Sequence, residues 1–254
     1  MNKSFFIGAV GAHQQQKNLN VTGNNIANVN TYGFKAEKGR FDNLLFQNLR
    51  AAGPAEQTEA GEEHGPKLGE VKVGTGAALK GTDTLFQYGG AAATGRMQDY
   101  MIEGDGFFAL KDLATGEVSY TRSGAFSMAS LQNNDGTQQW YLSDGCGRFV
   151  LDQQGEMIPM EMGDANKTMP VGVFDFANYN GIRHLDGTRF INVPKNGERT
   201  VGTGKVIQGA LESSNVDLAQ EITNMIETQR AYSMALKMMT TSDEIESTIN
   251  SLRG

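Results

Sequence analysis

Turn-forming dipeptides recur at short intervals through the middle of the sequence. Between residues 85 and 205 a polar residue is followed by glycine at Asp105-Gly106, Thr115-Gly116, Asp135-Gly136, Asp144-Gly145, Gln154-Gly155, Asn180-Gly181, Asp186-Gly187 and Asn196-Gly197. Glycine after Asn or Asp supplies the positive φ angles of tight hairpin turns. The runs between the turns, such as GFFAL, QQWYL and VGVFDF, are short and rich in aromatic and β-branched residues. The spacing predicts an all-β, hairpin-rich domain over residues 85–205.

The C-terminal residues have the periodicity of a long helix instead. Asp217 can cap its start, with Gln220 three residues later. Two stripes then follow steps of three and four: one is Leu218, Ile222, Met225, Gln229, Tyr232, Leu236 and Met239, and the other is Ala231, Ala235, Met238, Ser242, Ile245, Ile249 and Leu252. A helix with one packing partner needs only one apolar stripe. Either another subunit covers the second stripe, or both faces pack inside one compact bundle; the shortage of other long helices favours self-assembly.

The N-terminal residues carry a weaker pattern with the same spacing. It consists of Phe5, Gly8, Ala12, Gln15, Leu19, Thr22, Ile26 and Val29, half of which are small or polar. Residues 1–50 hold six basic and two acidic side chains, whereas residues 212–254 hold three basic and seven acidic ones. Opposite charge favours pairing of the two ends. We therefore predict an α+β fold with a discontinuous coiled-coil domain (1–45 plus 211–254), an extended arm with a strand (46–84), and the β domain (85–205).

The stretch NNIANVNTYGFK at residues 24–35 is unusually rich in asparagine. Asn24 and Asn28 are four residues apart, and so lie on one helical face. Asn30 and Gly33 suit a helix end, where Asn and Gly tolerate a left-handed backbone. Carboxamides both donate and accept hydrogen bonds, so the stretch is a candidate for setting register between subunits. The candidate assembly residues are Asn24, Asn25, Ile26, Asn28, Val29, Asn30, Gly33, Phe34, Leu218, Ile222, Met225, Tyr232, Leu236, Met239, Ile245, Ile249 and Leu252.

The sequence carries no convincing catalytic motif. GTGAALKG at residues 74–81 has Leu79 where a dinucleotide-binding loop needs glycine, and it lacks the Ser or Thr of a phosphate loop. Ser123 lacks the glycines of a nucleophile elbow. Cys146 and Asp105 are better explained as turn residues than as a nucleophile or a glycosidase carboxylate. One cysteine and three scattered histidines offer no metal-ligand spacing. We predict no enzymatic activity, cofactor or metal.

Charge and hydropathy disfavour a nucleic-acid partner and a membrane-spanning segment. A net charge of −7 and a pI near 5.1 disfavour nucleic acid. No apolar run approaches the length of a membrane span. The N-terminal MNKSFFIGAVGAH imitates a signal peptide but is too short and weakly basic. We expect any export to proceed without cleavage. Residues 51–70, rich in Gly, Pro, Ala and Glu, are typical of an exposed arm.

Both ends of the chain resemble those of a known family. NNIANVNTYGFKAEKGRFDNLL (24–45) is similar to the N-terminal signature of the flagellar axial proteins, the rod, hook and hook-associated subunits. Residues 211–252 resemble their C-terminal signature, and IEGDGFFAL (102–110) and YTRSGAF (120–126) look like the start of their β domain. Tyr32 stands where many members carry proline, although some hook and rod proteins carry tyrosine.

This resemblance implies a structural subunit without catalysis. Many copies would stack helically into a hollow, rigid shaft that transmits torque and passes exported subunits. The implied partners are further copies of the chain, the proximal rod and hook proteins, the P and L rings in diderm bacteria, and the flagellar type III export apparatus. The implied location is the flagellar basal body in the cell envelope.

Length and one internal segment narrow the position within the family. A chain of 254 residues is short for a hook subunit, and residues 44–77 are similar to the stretch that distinguishes the distal rod. The resemblance therefore implies a distal rod subunit first, and a proximal rod or short hook-type subunit second. A rod-associated peptidoglycan hydrolase and a monomeric binding module remain as rival classes.

Overall fold

A computed structural model describes residues 3–44, 46–50, 71–132, 138–160 and 169–253. In this part of the chain the helices are α1 (Lys3–Ala27) and α2 (Leu218–Arg253), with 3-10 helices at Tyr179–Gly181 and Pro194–Asn196. The strands are β1 (Glu37–Asn43), β2 (Phe46–Arg50), β3 (Val71–Gly74), β4 (Ala77–Thr84), β5 (Ala91–Ala93), β6 (Tyr100–Glu103), β7 (Phe107–Asp112), β8 (Val118–Thr121), β9 (Ser127–Gln132), β10 (Gln138–Ser143), β11 (Arg148–Val150), β12 (Pro159–Met160), β13 (Val173–Phe176), β14 (Arg183–Asp186), β15 (Arg189–Ile191), β16 (Arg199–Val201), β17 (Lys205–Gln208) and β18 (Ala210–Glu212). The α+β class is confirmed. The predicted arm at 51–70 lies outside the described residues.

The chain divides into two compact units. The helical unit comprises Met1–Gly23, Gly39–Thr82 and Ile222–Gly254, and the β unit comprises Asn24–Lys38 and Asp83–Glu221. This division differs from the predicted bounds, which gave residues 46–84 a region of their own and placed residues 24–38 and 211–221 with the terminal helices. The physical reason is that these two segments hydrogen-bond to each other and to residues 85–90.

An antiparallel sheet organises the β unit. Its strands follow the order β12-β10-β11-β7-β8-β15-β14, with β9 paired to β10, β13 paired to β7, and β16 paired to β13. The side chains of β7 alternate: Phe108 and Leu110 join one apolar cluster, and Phe107 and Ala109 join another. Because the strand is buried on both faces, the segment GFFAL lacks the polar alternation of a half-exposed strand.

The turn glycines behave largely as the dipeptide pattern predicts. Positive φ angles occur at Gly106, Gly116, Gly145, Gly155, Gly187 and Gly197. Gly181 is an exception, because it ends a 3-10 helix instead of forming a hairpin turn. A Cβ there would lie 2.1 Å from Asn196 Oδ1, so close packing is what requires glycine at this position. Gly136 lies outside the described residues.

Two polar contacts define how the helices of the helical unit run. The hydroxyls of Ser4 and Ser242 are 2.8 Å apart, and Asn18 Nδ2 donates to Thr228 Oγ1 at 3.3 Å. Residue numbers rise along α1 while they fall along α2, so the two helices pack antiparallel. The same unit contains the pairs β1-β4 and β2-β3. The strand predicted from VKVGTG is confirmed as β3.

Candidate assembly surfaces and a buried charge cluster

Small residues form the contact between α1 and α2, which we call the seam. A Cβ at Gly8 would lie 2.9 Å from Met239 Cγ and 3.2 Å from the carbonyl oxygen of Ala235. A Cβ at Gly11 would lie 3.8 Å from Ala235 Cβ. Glycine and alanine thus allow the helices to approach closely, but they bury little apolar surface.

The large apolar side chains of α2 lie on either side of the seam and are exposed. An α-helix turns by about 100° per residue. Measured around the axis of α2 from Thr228, at the centre of the seam, one set of side chains lies roughly 80–160° to one side. The other set lies roughly 60–120° to the opposite side. The first flank is Leu218, Ile222, Ile226 and Leu236, and the second flank is Met234, Met238, Ile245, Ile249 and Leu252. Their exposed fractions range from 37% to 82%. A single chain therefore leaves two separate apolar surfaces of α2 in contact with water.

The predicted stripes do not coincide with these surfaces. Met225, Tyr232 and Met239 of the first stripe are half-buried, whereas its other members, including Gln229, are exposed. From the second stripe, Ala235 and Ser242 lie in the seam. Each stripe is divided because the close approach at the seam favours small residues over large ones, with Met239 fitting there only opposite Gly8. Periodicity alone does not separate these two classes.

The asparagine stretch divides between local and longer contacts. Asn28 Nδ2 donates to the carbonyl oxygen of Asn24 at 2.9 Å and to its Oδ1 at 3.1 Å, so these side chains are neighbours on one face. Asn25 is buried; its Nδ2 donates to the carbonyl oxygen of Glu37 at 2.8 Å, and its Oδ1 accepts from the Glu37 N–H at 2.9 Å. The sequence analysis gave no separate role to Asn25. The prediction of a left-handed Asn30 is wrong, since positive φ angles among the described residues occur only at glycine.

The remaining residues of this stretch differ in burial. Ile26 and Val29 are half-buried, and Asn30 is exposed. Gly33 and Phe34 are buried. Gly33 has φ +71°, and its N–H donates to the carbonyl oxygen of Glu212 at 2.7 Å. The predicted left-handed glycine is confirmed.

Three charged side chains are buried together in the β unit, and we call them the charge cluster. Lys35 Nζ lies 2.6 Å from Glu212 Oε1, and Arg122 Nη1 lies 3.5 Å from Glu212 Oε2. The three side chains are 1%, 0% and 3% exposed, for Lys35, Glu212 and Arg122 respectively. Burial lowers the pKa of the Lys35 ammonium, and the adjacent Glu212 carboxylate opposes that shift. Sequence analysis missed the cluster because its members are 87 to 177 positions apart and share no local motif.

Backbone groups add hydrogen bonds to Lys35 and Glu212, whereas Arg122 Nε is buried with no hydrogen-bond partner among the described residues. Lys35 Nζ also donates to the carbonyl oxygen of Gln87 at 2.7 Å, and the N–H of Gly89 donates to Glu212 Oε1 at 3.0 Å. The Arg122 guanidinium lies over the Phe107 ring, 5.3 Å from its centroid. These contacts offset part of the hydration free energy that the charged groups lose when they are buried.

Asn215 continues the same set of contacts. Its Oδ1 accepts from the Ala36 N–H at 2.7 Å, and its Nδ2 donates to the carbonyl oxygen of Leu85 at 2.7 Å. The segments around residues 35, 87 and 212 are thus joined by both charge and amide hydrogen bonds.

The residues weighed as catalytic occupy structural positions. Cys146 is exposed in a turn, and its N–H donates to Asp144 Oδ1 at 2.9 Å. Asp105 precedes the positive-φ Gly106, and the N–H of Ser123 donates to Thr121 Oγ1 at 3.0 Å. Within the described ranges, three or more His, Cys, Asp or Glu residues nowhere gather as they would around a metal ion. Neither described helix is long and apolar enough to cross a membrane.

Family models match three parts of the chain. Residues 7–35 match the model described as flagella basal body rod protein, residues 101–198 the flagellar hook protein FlgE/F/G D1 domain, and residues 207–252 the flagellar basal body rod FlgEFG protein C-terminal. The flagellar basal-body rod protein FlgG of Buchnera aphidicola subsp. Acyrthosiphon pisum is 32% identical, with 96% of this chain and 97% of the relative covered. The chain belongs to the flagellar basal-body rod protein family.

Further relatives have the same name and the same extent of similarity. The flagellar basal-body rod protein FlgG of Agrobacterium fabrum is 32% identical over 98% of both chains, and that of Bacillus subtilis is 32% identical over 96% of this chain and 97% of the relative. The family is structural, so the prediction that the chain is not an enzyme is confirmed. Each matched region contains one member of the charge cluster: Lys35, Arg122 or Glu212.

Proposed function

We propose that the chain is a subunit of the distal rod of the flagellar basal body. Copies of it polymerise helically into a hollow, rigid shaft that transmits torque and passes exported subunits. The observation that carries this proposal is near full-length similarity to basal-body rod proteins, combined with the two exposed apolar flanks of α2.

The flanks support polymerisation for an energetic reason. Full burial of an Ile, Leu or Met side chain is worth about 1.5–3 kcal/mol, and the seam contributes little of this kind. The antiparallel helix pair is therefore marginal in one chain and becomes stable when neighbouring copies cover its flanks. In the polymer the pair acts as a coiled-coil domain. Two different flanks on one helix favour head-to-tail contacts, which generate helical assemblies instead of closed dimers.

The asparagine stretch supports a more specific part of the proposal. Asn25, Gly33 and Phe34 are buried, and Asn25 and Gly33 form hydrogen bonds within the same chain. Asn24 and Asn30 are exposed, although Asn24 Oδ1 also accepts from Asn28 Nδ2 at 3.1 Å. We assign the register-setting contacts to these exposed carboxamides and the apolar contacts to the α2 flanks.

Location and partners follow from the rod assignment. The subunit passes through the flagellar type III export apparatus without a cleaved signal peptide and folds at the tip of the growing rod. It contacts the proximal rod and the hook at its two ends, and the P and L rings surround it in diderm bacteria. The periplasmic part of the cell envelope is its site of assembly.

A proximal rod or short hook-type subunit is the second candidate. This candidate is supported by the match of residues 101–198 to a domain described for hook proteins. Coverage of nearly the whole length of rod proteins favours the rod.

Gene deletion in the native host separates these assignments. Basal bodies purified from the deletion strain are examined by electron microscopy, and the wild-type gene is restored as the control. A distal rod subunit predicts a short rod stub without a hook. Absence of any rod would assign the proximal rod, a complete rod without a hook would assign a hook-type subunit, and a complete, functional flagellum would contradict all three.

A further inference from the structure

We infer that Glu212 is the closing residue of the β unit, because it compensates the buried charges of Lys35 and Arg122 and the unit loses stability when they are left without a carboxylate. The charge cluster acts as a latch between a segment that follows α1 in the sequence and one that precedes α2. This inference does not depend on the rod assignment, because it concerns the folding of a single chain.

The positive charge of the cluster is compensated by Glu212. Two buried cations share one buried carboxylate, and among the described residues Glu212 is the one acidic side chain within ion-pair distance of either. Removing one partner of a buried pair leaves an uncompensated charge, which is far more destabilising than replacing the whole pair by neutral groups. Loss of the Glu212 charge leaves two uncompensated cations at this position.

Glu212 also forms hydrogen bonds to backbone groups of distant segments. Its carbonyl oxygen accepts from the Gly33 N–H at 2.7 Å, while its Oε1 accepts from the Gly89 N–H at 3.0 Å. In β18, Glu212 pairs with Ala91 of β5. One residue therefore joins segments that are 179 and 123 positions away in the sequence. Loop closure over such distances is favourable only when the final contacts repay its entropy.

The two cations of the charge cluster come before its carboxylate in the sequence. Lys35 and Arg122 both precede Glu212. If the chain emerges with its N-terminus first, folding would require burial of both cations before their carboxylate is present, which is unfavourable. The β unit is thus held from completing its fold until residue 212 is available. The β unit of such a chain therefore stays incomplete while the chain is being synthesised.

The single tryptophan provides a direct probe of the β unit. Trp140, the only tryptophan in the sequence, packs against the apolar cluster that contains Leu110 and Leu142. Its fluorescence during urea unfolding of the full-length chain measures the folding equilibrium of that unit. We compare wild type with Glu212→Gln, the double variant Lys35→Met/Glu212→Gln, and the control Glu227→Gln on the exposed surface of α2.

The double variant distinguishes the loss of charge compensation from a general disruption of packing around residue 212. Glu212→Gln should lower the folding equilibrium constant by roughly a hundredfold or more, and Glu227→Gln should change it less than about threefold. Lys35→Met/Glu212→Gln restores the net charge of the cluster and should recover at least about tenfold of the loss. A Glu212→Gln chain within about threefold of wild type would overturn the inference, and so would a double variant no more stable than Glu212→Gln.

Discussion

Gly33 leaves no room for a side chain in the β unit. Its φ of +71° is in the left-handed region, and a Cβ would lie 2.4 Å from Ser123 N and 2.6 Å from Ser123 Cα. Backbone atoms cannot move away as a flexible side chain can. The glycine is therefore required twice, once for its dihedral angles and once for the close approach.

Replacement of this glycine by alanine should be costly. Gly33→Ala should reduce the free energy of unfolding by about 2–5 kcal/mol, the sum of left-handed strain and overpacking. The matched control is Gly116→Ala, where φ is +73° but no atom lies within 4 Å of the added Cβ. The control should lose only about 1–2 kcal/mol. Equal losses in urea unfolding followed by Trp140 fluorescence would contradict the steric part of this account.

Tyr179 should make the stability of the β unit sensitive to alkaline pH. Burial, together with its hydrogen bond to Asp175 Oδ1, raises the pKa of the Tyr179 hydroxyl above its ordinary value. Because folding raises this pKa, the associated stability is fully present below about pH 10 and is lost as the pH rises further. Burial also raises the pKa values of Tyr88, Tyr100 and Tyr120, so other tyrosines contribute to the same slope.

The Tyr179→Phe variant isolates one part of that slope. It should be less stable than wild type at neutral pH by about 1 kcal/mol, but its stability should fall less steeply above pH 10. Urea unfolding at a series of pH values measures both effects. Tyr32→Phe, at an exposed side chain, is the control. An unchanged alkaline slope in Tyr179→Phe would contradict the assigned cause.

At the scale of elements, the sequence predicts classes of structure better than it predicts contacts. Asp/Asn-Gly dipeptides located the turns because a positive φ is a local property that glycine satisfies by itself. The helix periods of α1 and α2 are local in the same sense. The charge cluster and the buried role of Asn25 were missed because they depend on which distant segments meet. Small residues at Gly8 and Ala235 likewise weakened the stripe pattern at a place where the helices approach closely.

The seam should tolerate no large side chain at Gly8. Gly8→Leu should force α1 and α2 apart, because its Cβ meets Met239 Cγ at 2.9 Å and a backbone carbonyl at 3.2 Å. Gly23→Ala is the control, since nothing lies within 4 Å of its added Cβ. We expect Gly8→Leu to lower the helical circular dichroism of the assembled protein, and Gly23→Ala to preserve it. Equal helical signals in both assemblies would contradict the proposed close packing at the seam.

At the scale of the whole molecule, the chain combines a well-packed β unit with a helical unit that exposes much of its apolar surface. The β unit holds two buried clusters of apolar side chains. On α2, by contrast, Met234 and Leu252 are 70% and 82% exposed. A monomeric protein gains nothing from such an exposed helix, whereas a polymer subunit needs it. The central claim is therefore that the flanks of α2 drive assembly.

Electron microscopy of the purified protein, with sedimentation to quantify polymer, tests this claim most directly. Wild type should form helical filaments, and the double variant Ile245→Asp/Ile249→Asp on the second flank should stay monomeric. Its Trp140 fluorescence should remain that of a folded β unit. Lys237→Asp, on the side of α2 about 180° from the seam, should still polymerise. Filaments of normal yield from the double variant would contradict the account.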